Sequence, residues 1–194
     1  MEELAAYDPS WPLLFEQEAT QLKQLFLPQS VAVEHVGSTA VPGMVARPVI
    51  DIFVGLFPLL PLAQYEQLFL YTDYRQCPAE KAGRYSFYRP ALQIAGYSLH
   101  LLPMAGFYMQ SELLLRDFLR THPKAVMQAC KIKQAAFAQC CTDPGTYAKA
   151  KAALHAQLLG TAAPPHRAPP CPGGEPAVKQ KPNTVFFPPV TRTS

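Results

Sequence analysis

The sequence predicts one mixed domain of strands and helices (α/β, or α+β) over residues 1–160, followed by a disordered Pro-rich tail, 161–194. Three observations carry this. Short β-branched and apolar runs fill the stretch from Val31 to Met104, helical spacing takes over from Gln110, and nine of the chain's 21 prolines fall after Gly160. With 194 residues, 49% of them hydrophobic and 16% charged, the chain is long enough to bury a core of ordinary size.

The elements follow in order. Tyr7-Asp8-Pro9-Ser10-Trp11-Pro12 has helix-entry chemistry, with Ser10 as N-cap and Pro12 in the first turn. Leu14, Phe15, Glu18, Leu22, Leu25 and Phe26 then recur near helical spacing, with the acids mostly on another face, until Pro28 ends the helix. VAVEHV alternates β-branched residues and reads as a strand. GSTAVPGMVA is a turn or short helix, and RPVIDIFVGL is a nearly continuous apolar strand, the kind buried on both faces inside a sheet. A short helix is expected around AQYEQLFLYT, two more strands in GRYSFYRP and ALQIAGYSLHLLPM, and helices in SELLLRDFLRTH and in the stretch after Pro123. Asp143-Pro144 opens a last helix that Gly160 closes.

Charge and cysteine content narrow the function classes. The formal net charge is +3, but the excess lies beyond residue 160, where Arg167, Lys179, Lys181 and Arg192 face Glu175 alone. The domain itself is neutral and offers no broad nucleic-acid surface. The five cysteines are odd in number, include the adjacent Cys140 and Cys141, and show no zinc spacing, which suits reduced thiols. The acidic MEELAAYDPSW has no signal-peptide pattern, and LFPLLPLA is too short and too Pro-broken to span a bilayer, so a cytoplasmic location is expected. In the tail, APP and FFPPV have the form of ligands for an aromatic-lined groove; a passive tail explains them too, and a protein partner is not identified.

The chemistry concentrates in EHVGSTAVPGMVARPVIDIF. A Gly-Ser pair after a strand brings the backbone close to a phosphate, whose oxygens its amides and hydroxyl can contact. A carboxylate on the neighbouring strand, Asp51, can hold a Mg²⁺ that bridges the same phosphates. The same carboxylate has a structural use: accepting hydrogen bonds from the GST turn and holding it in place. Ser38 as a helix cap and Arg47 as a solvated strand edge are the corresponding structural readings. His35 and His100 lie on strands near this stretch and read as ligands or as satisfied core histidines. Arg84 and Arg89, interleaved with aromatics, have the form to stack on a base or to sit half-exposed on a strand. Arg116 and Asp117 read as partners in structural ion pairs or cap contacts, and Tyr147, Lys149 and Lys151 as a rim or a solvated helix face.

YDPSW, EHVGSTAVPG, RPVIDI, SLHLLP, RDFLRTHP and YAKAK together resemble the GrpB family, within the nucleotidyltransferase superfamily related to DNA polymerase beta. The resemblance spans roughly residues 5–160 and implies a nucleotidyltransferase-like mixed sheet flanked by helices. It implies Gly37, Ser38, Thr39, Arg47 and His100 as phosphate or ligand contacts and Asp51 as a metal ligand, for Mg²⁺ or Mn²⁺. Such domains also occur fused to dephospho-CoA kinase, which adds CoA-related ligands to nucleotides as candidates. Active relatives in the wider superfamily carry a second carboxylate two residues after the first, and a third on a later strand. Here those places hold Phe53 and the acid-free SLHLL, and Ser98 and Arg47 stand where the family pattern suggests His and Lys. A degenerate transferase that still binds ligand and a non-catalytic interaction module are both compatible with that pattern.

Overall fold

The computed structural model describes residues 4–77, 83–91 and 94–140, with Ala153 and Gly160, both helical, besides. The remainder of the expected last helix, including Asp143, Tyr147, Lys149 and Lys151, and the tail 161–194 lie outside the described residues. The order is α1 (Ser10–Leu25), β1 (Ser30–Val36), β2 (Val49–Phe57), α2 (Leu62–Phe69), β3 (Arg75–Cys77), β4 (Tyr85–Arg89), β5 (Gly96–Pro103), α3 (Ser111–Thr121) and α4 (Pro123–Cys140). The strands form a five-stranded mixed sheet in the order β1-β2-β5-β4-β3. β2 and β5 run parallel, and every other pairing is antiparallel. The apolar RPVIDIFVGL thus lies inside the sheet, as its lack of alternation predicts.

Strand alternation assigns the two faces. Ile50, Ile52, Val54 and Leu56 of β2, with Phe87, Leu99 and Leu101, bury one face against Trp11, Phe15, Leu22 and Phe26 of α1 and Tyr65 and Phe69 of α2. The opposite face carries Asp51 and Phe53 of β2, Ser98 and His100 of β5, and Ser86 of β4. A smaller cluster of Val36, Phe53, Leu102, Phe107 and Leu113 packs on that face beneath the start of α3. Gly55 makes that packing feasible, since a Cβ there would come within 2.7 Å of the Phe107 ring. A third cluster, Val41, Met44, Leu119, Val126 and Ala129, joins the turn after β1 to α3 and α4.

One expectation at α1 differs from the structure. The N-cap is Pro9 rather than Ser10, and the Asp8 carboxylate accepts the Ser10 amide at 2.8 Å. Asp8 therefore supplies the side-chain oxygen that a capping serine would have supplied, and this contact holds its carboxyl below the usual range. Glu18, which shares the helical spacing of Phe15 and Leu22, is buried on the core face. It is satisfied there by Arg89 at 2.5 Å and by the Tyr74 hydroxyl at 3.0 Å. The Arg89 guanidinium lies over the Tyr97 ring at 4.1 Å and the Tyr74 ring at 5.1 Å, so this arginine is a core ion-pair partner. Burial, reinforced by Glu18, pushes the Tyr74 phenol well above its ordinary value and keeps it a donor. Among the described residues no helix is long and apolar enough to cross a membrane.

Candidate functional site

The site forms where β1 ends and β2 and β5 begin. Val36, the last residue of β1, pairs with Asp51, and Asp51 pairs on its other side with Ser98. Gly37 follows with φ 73° and ψ −167°, a region open essentially to glycine alone. A Cβ on Gly37 would overlap the Asp51 carboxylate, with Cγ only 3.0 Å away. The glycine is therefore required twice, for its backbone and for the carboxylate packed against it. Ser38–Ala40 then makes a single 3₁₀ turn.

Side chains from far along the chain hold this turn. The Arg116 guanidinium, buried on α3, donates to Glu34 at 2.7 Å, to the His35 carbonyl at 2.8 Å and to Asp117 at 2.9 Å. Arg120, one helical turn later, donates to the Ala40 carbonyl at 2.9 Å. From α4, the buried Lys133 ammonium donates to the Ser38 hydroxyl and, at 3.2 Å, to the Val45 carbonyl. The Val45 amide in turn donates to Cys130 Sγ at 3.4 Å. Arg116 and Asp117 are thus the structural partners expected from the sequence. Arg120, Lys133 and Cys130 were not legible there, because a polar residue on a helix looks the same whether it meets water or a distant turn.

Thr39, expected among the ligand contacts, is buried. Its hydroxyl donates to the Val49 carbonyl at 3.0 Å and accepts from His35 Nε2 at 3.0 Å, so the side chain shapes the turn. His35 is buried with its ring stacked on Phe15, centroids 4.8 Å apart. Burial first, and then Arg120 and Arg116, hold its pKa down to about 3, so the imidazole is neutral. In the unfolded chain it binds a proton near pH 6.5, whereas the folded chain resists doing so until about pH 3. The stability tied to neutral His35 is therefore complete above pH 6.5 and falls as the pH drops towards 3, by about 2–3 kcal/mol at pH 4.5. Urea unfolding of wild type and His35→Gln at pH 7 and pH 4.5 checks this. The variant should lose less stability between the two by that amount, while the carboxylate contributions are common to both.

Arg47 is half-buried just ahead of β2, and its carbonyl accepts the Val49 amide at 2.7 Å. His100 lies two positions along β5 from Ser98, beside Phe53 rather than Asp51. Its Nδ1 meets Ser86 Oγ at 2.9 Å and its Nε2 meets Ser98 Oγ at 3.1 Å, so both ring nitrogens are engaged by hydroxyls. Phe53 stands two residues after Asp51, where the resemblance leads one to expect a second carboxylate. It is buried, with the Arg84 guanidinium 5.0 Å above its ring and the His100 ring edge-on at 5.5 Å. Arg84 is held by Glu112 at 3.3 Å and Gln110 at 3.4 Å. Asp51 is the only acid among the described residues of β2 and β5, and the Arg84 guanidinium lies over the Phe53 ring two positions on. Among the described residues no three His, Cys, Asp or Glu side chains group to hold a metal ion. These residues do not fit a two-metal clamp.

What the geometry offers is a glycine-serine turn with a cation fixed on its serine, beside one half-buried carboxylate. A sequence model of the family described as GrpB protein matches residues 2–160. The chain is 32% identical over 168 residues to a UPF0157 protein of Pseudomonas aeruginosa, covering 82% of this chain and 67% of that one. A UPF0157 protein of Deinococcus radiodurans is 31% identical over 162 residues, covering 83% and 82%. A Bacillus subtilis relative, UPF0157 protein YqkA, is 25% identical over 137 residues, and the match spans only 40% of that protein's length. The crystal structure of a conserved protein GrpB from Enterococcus faecalis superposes with a TM-score of 0.70 at 23% identity, covering 82% of this chain and 98% of that one, a likeness of fold. The chain belongs to the GrpB family.

Proposed function

We propose that this GrpB-family chain binds a nucleotide or another small phosphate-bearing ligand, CoA-related molecules included, at the Gly37-Ser38 turn beside Asp51. The observation that carries the reading is the turn itself. A glycine in a conformation closed to other residues, a serine fixed by a buried ammonium and a carboxylate packed against the glycine form a costly arrangement. Backbone amides of such a turn suit phosphate oxygens, and Lys133 supplies the opposing charge. Mg²⁺ or Mn²⁺ enters this reading only as a companion that the phosphate brings to Asp51. Nucleotidyl transfer is the reaction that the wider superfamily suggests, and Phe53 argues against it, because charge neutralisation supplies much of the acceleration in such reactions.

The buried Phe53 under Arg84 favours a second reading: a module that keeps the fold for protein interaction and has given up the metal site. Thermal melting with nucleotides, dephospho-CoA and CoA, each with and without Mg²⁺ or Mn²⁺, separates the two. A bound ligand at one hundred times its Kd adds ~2.7 kcal/mol, which is roughly 5–10 °C for a domain of this size. The expected result is such a shift in wild type and its loss in Asp51→Asn. No shift with any ligand, together with a large fall in the variant's own Tm, would leave Asp51 a structural residue and favour the interaction module.

A further inference from the structure

We propose that Ser98 is a nucleophile, activated by His100, that accepts a phosphoryl group from a phosphoanhydride held at the Asp51 end of the sheet. The geometry is a three-member chain across two strands. Ser98 and His100 stand two residues apart on β5, hence on one face, and Ser86 is the cross-strand partner of His100 on β4. The contacts run Ser98 Oγ to His100 Nε2 at 3.1 Å and His100 Nδ1 to Ser86 Oγ at 2.9 Å. Ser86 is buried, so it serves as the orienting group. The Phe53 ring, nearly perpendicular to the imidazole with centroids 5.5 Å apart, packs against it from a third side. The proposal assigns the proton of neutral His100 to Nδ1, where it is donated to Ser86. Nε2 then presents its lone pair to the Ser98 hydroxyl, the relation of base to nucleophile.

Ser98 is half-buried and pairs in register with Asp51, which places it beside the carboxylate packed against Gly37. In the reaction, Ser98 Oγ attacks phosphorus while its proton passes to His100 Nε2. The Oγ–P bond forms, and the anhydride bond breaks with its electron pair on the leaving phosphate oxygen, which takes the proton from His100. Water can then attack the phosphoserine phosphorus with His100 accepting its proton and returning it to Ser98 Oγ as the Oγ–P bond breaks. This places acid-base chemistry on β5, where the wider superfamily would hold a metal-binding acid. The inference rests on the preceding reading for its substrate class only, since the serine and its base are separate residues.

The test is covalent labelling of the folded full chain with a fluorophosphonate reagent, in which fluoride leaves in place of phosphate. Peptide mass spectrometry should find the adduct on Ser98, and Ser98→Ala should abolish it. His100→Asn should slow labelling by about 100-fold or more, the scale of lost general-base assistance. Ser86→Ala should slow it by a smaller factor, because the ring keeps its base but loses its orienting partner. Melting curves identify any variant that has failed to fold. An unlabelled Ser98, an adduct on Ser38 instead, or an unchanged rate in a His100→Asn protein that melts like wild type would each overturn the proposal. The reagent requires neither nucleotide nor metal. A negative ligand panel therefore withdraws the phosphoanhydride, whereas a missing adduct withdraws Ser98.

Discussion

Replacing Arg116 by methionine is expected to destabilise the fold by about 3–5 kcal/mol, the usual consequence of breaking a buried ion pair by removing one partner. The guanidinium is 4% exposed and serves Glu34, the His35 carbonyl and Asp117 together. Methionine fills much of the volume, so the loss isolates the polar contacts rather than a cavity. Glu34 is 29% exposed and recovers water in part, which places the expected value towards the lower end of the range. The His35 carbonyl is buried near the end of β1 and recovers less. Arg116→Lys should rescue little, because one ammonium cannot reproduce a fork that reaches two sides at once. The check is the urea midpoint at constant m-value. A loss below about 1 kcal/mol would mean that the turn is held without Arg116, contrary to the geometry.

Gly37→Ala should be almost as damaging, with a loss of about 3 kcal/mol or more, combining backbone strain of ~1–3 kcal/mol with steric overlap. The backbone part follows from φ 73° and ψ −167°, and the overlap is with the Asp51 carboxylate. The two parts can be separated. In an Asp51→Ala background the overlap disappears while the backbone cost remains, so the double variant should be less destabilised than the sum of the singles by ~1–2 kcal/mol. Strict additivity would show that the carboxylate yields easily and that backbone conformation alone demands glycine. Either way the measurement weighs Asp51 as a packing partner of the turn, apart from any ligand.

Much of the architecture was legible because its signals are local. The alternation in VAVEHV and the unbroken apolar run around Asp51 specify two adjacent strands and the turn between them. What remained hidden depends on residues meeting from far apart. Arg120 reaches a carbonyl 80 positions earlier and Lys133 a hydroxyl 95 positions earlier, and neither leaves a periodic trace. Glu18 shares the helical spacing of the apolar residues of α1, but its partners leave no trace in that spacing. It is buried because Arg89 and Tyr74, far later in the chain, meet both of its oxygens. The neighbours that engage Thr39 and His100 were hidden for the same reason, since only the strand register brings them close.

The clasp on the turn after β1 has a consequence for any dissection of this chain. A fragment ending before Ser111 would carry every residue of the GST motif together with Asp51, and it would lack the three cations that give the motif its shape. The motif and its mould are encoded in opposite parts of the sequence. Shortening the chain from its C-terminal side, or grafting the motif elsewhere, would therefore transplant letters without the form that makes them a site.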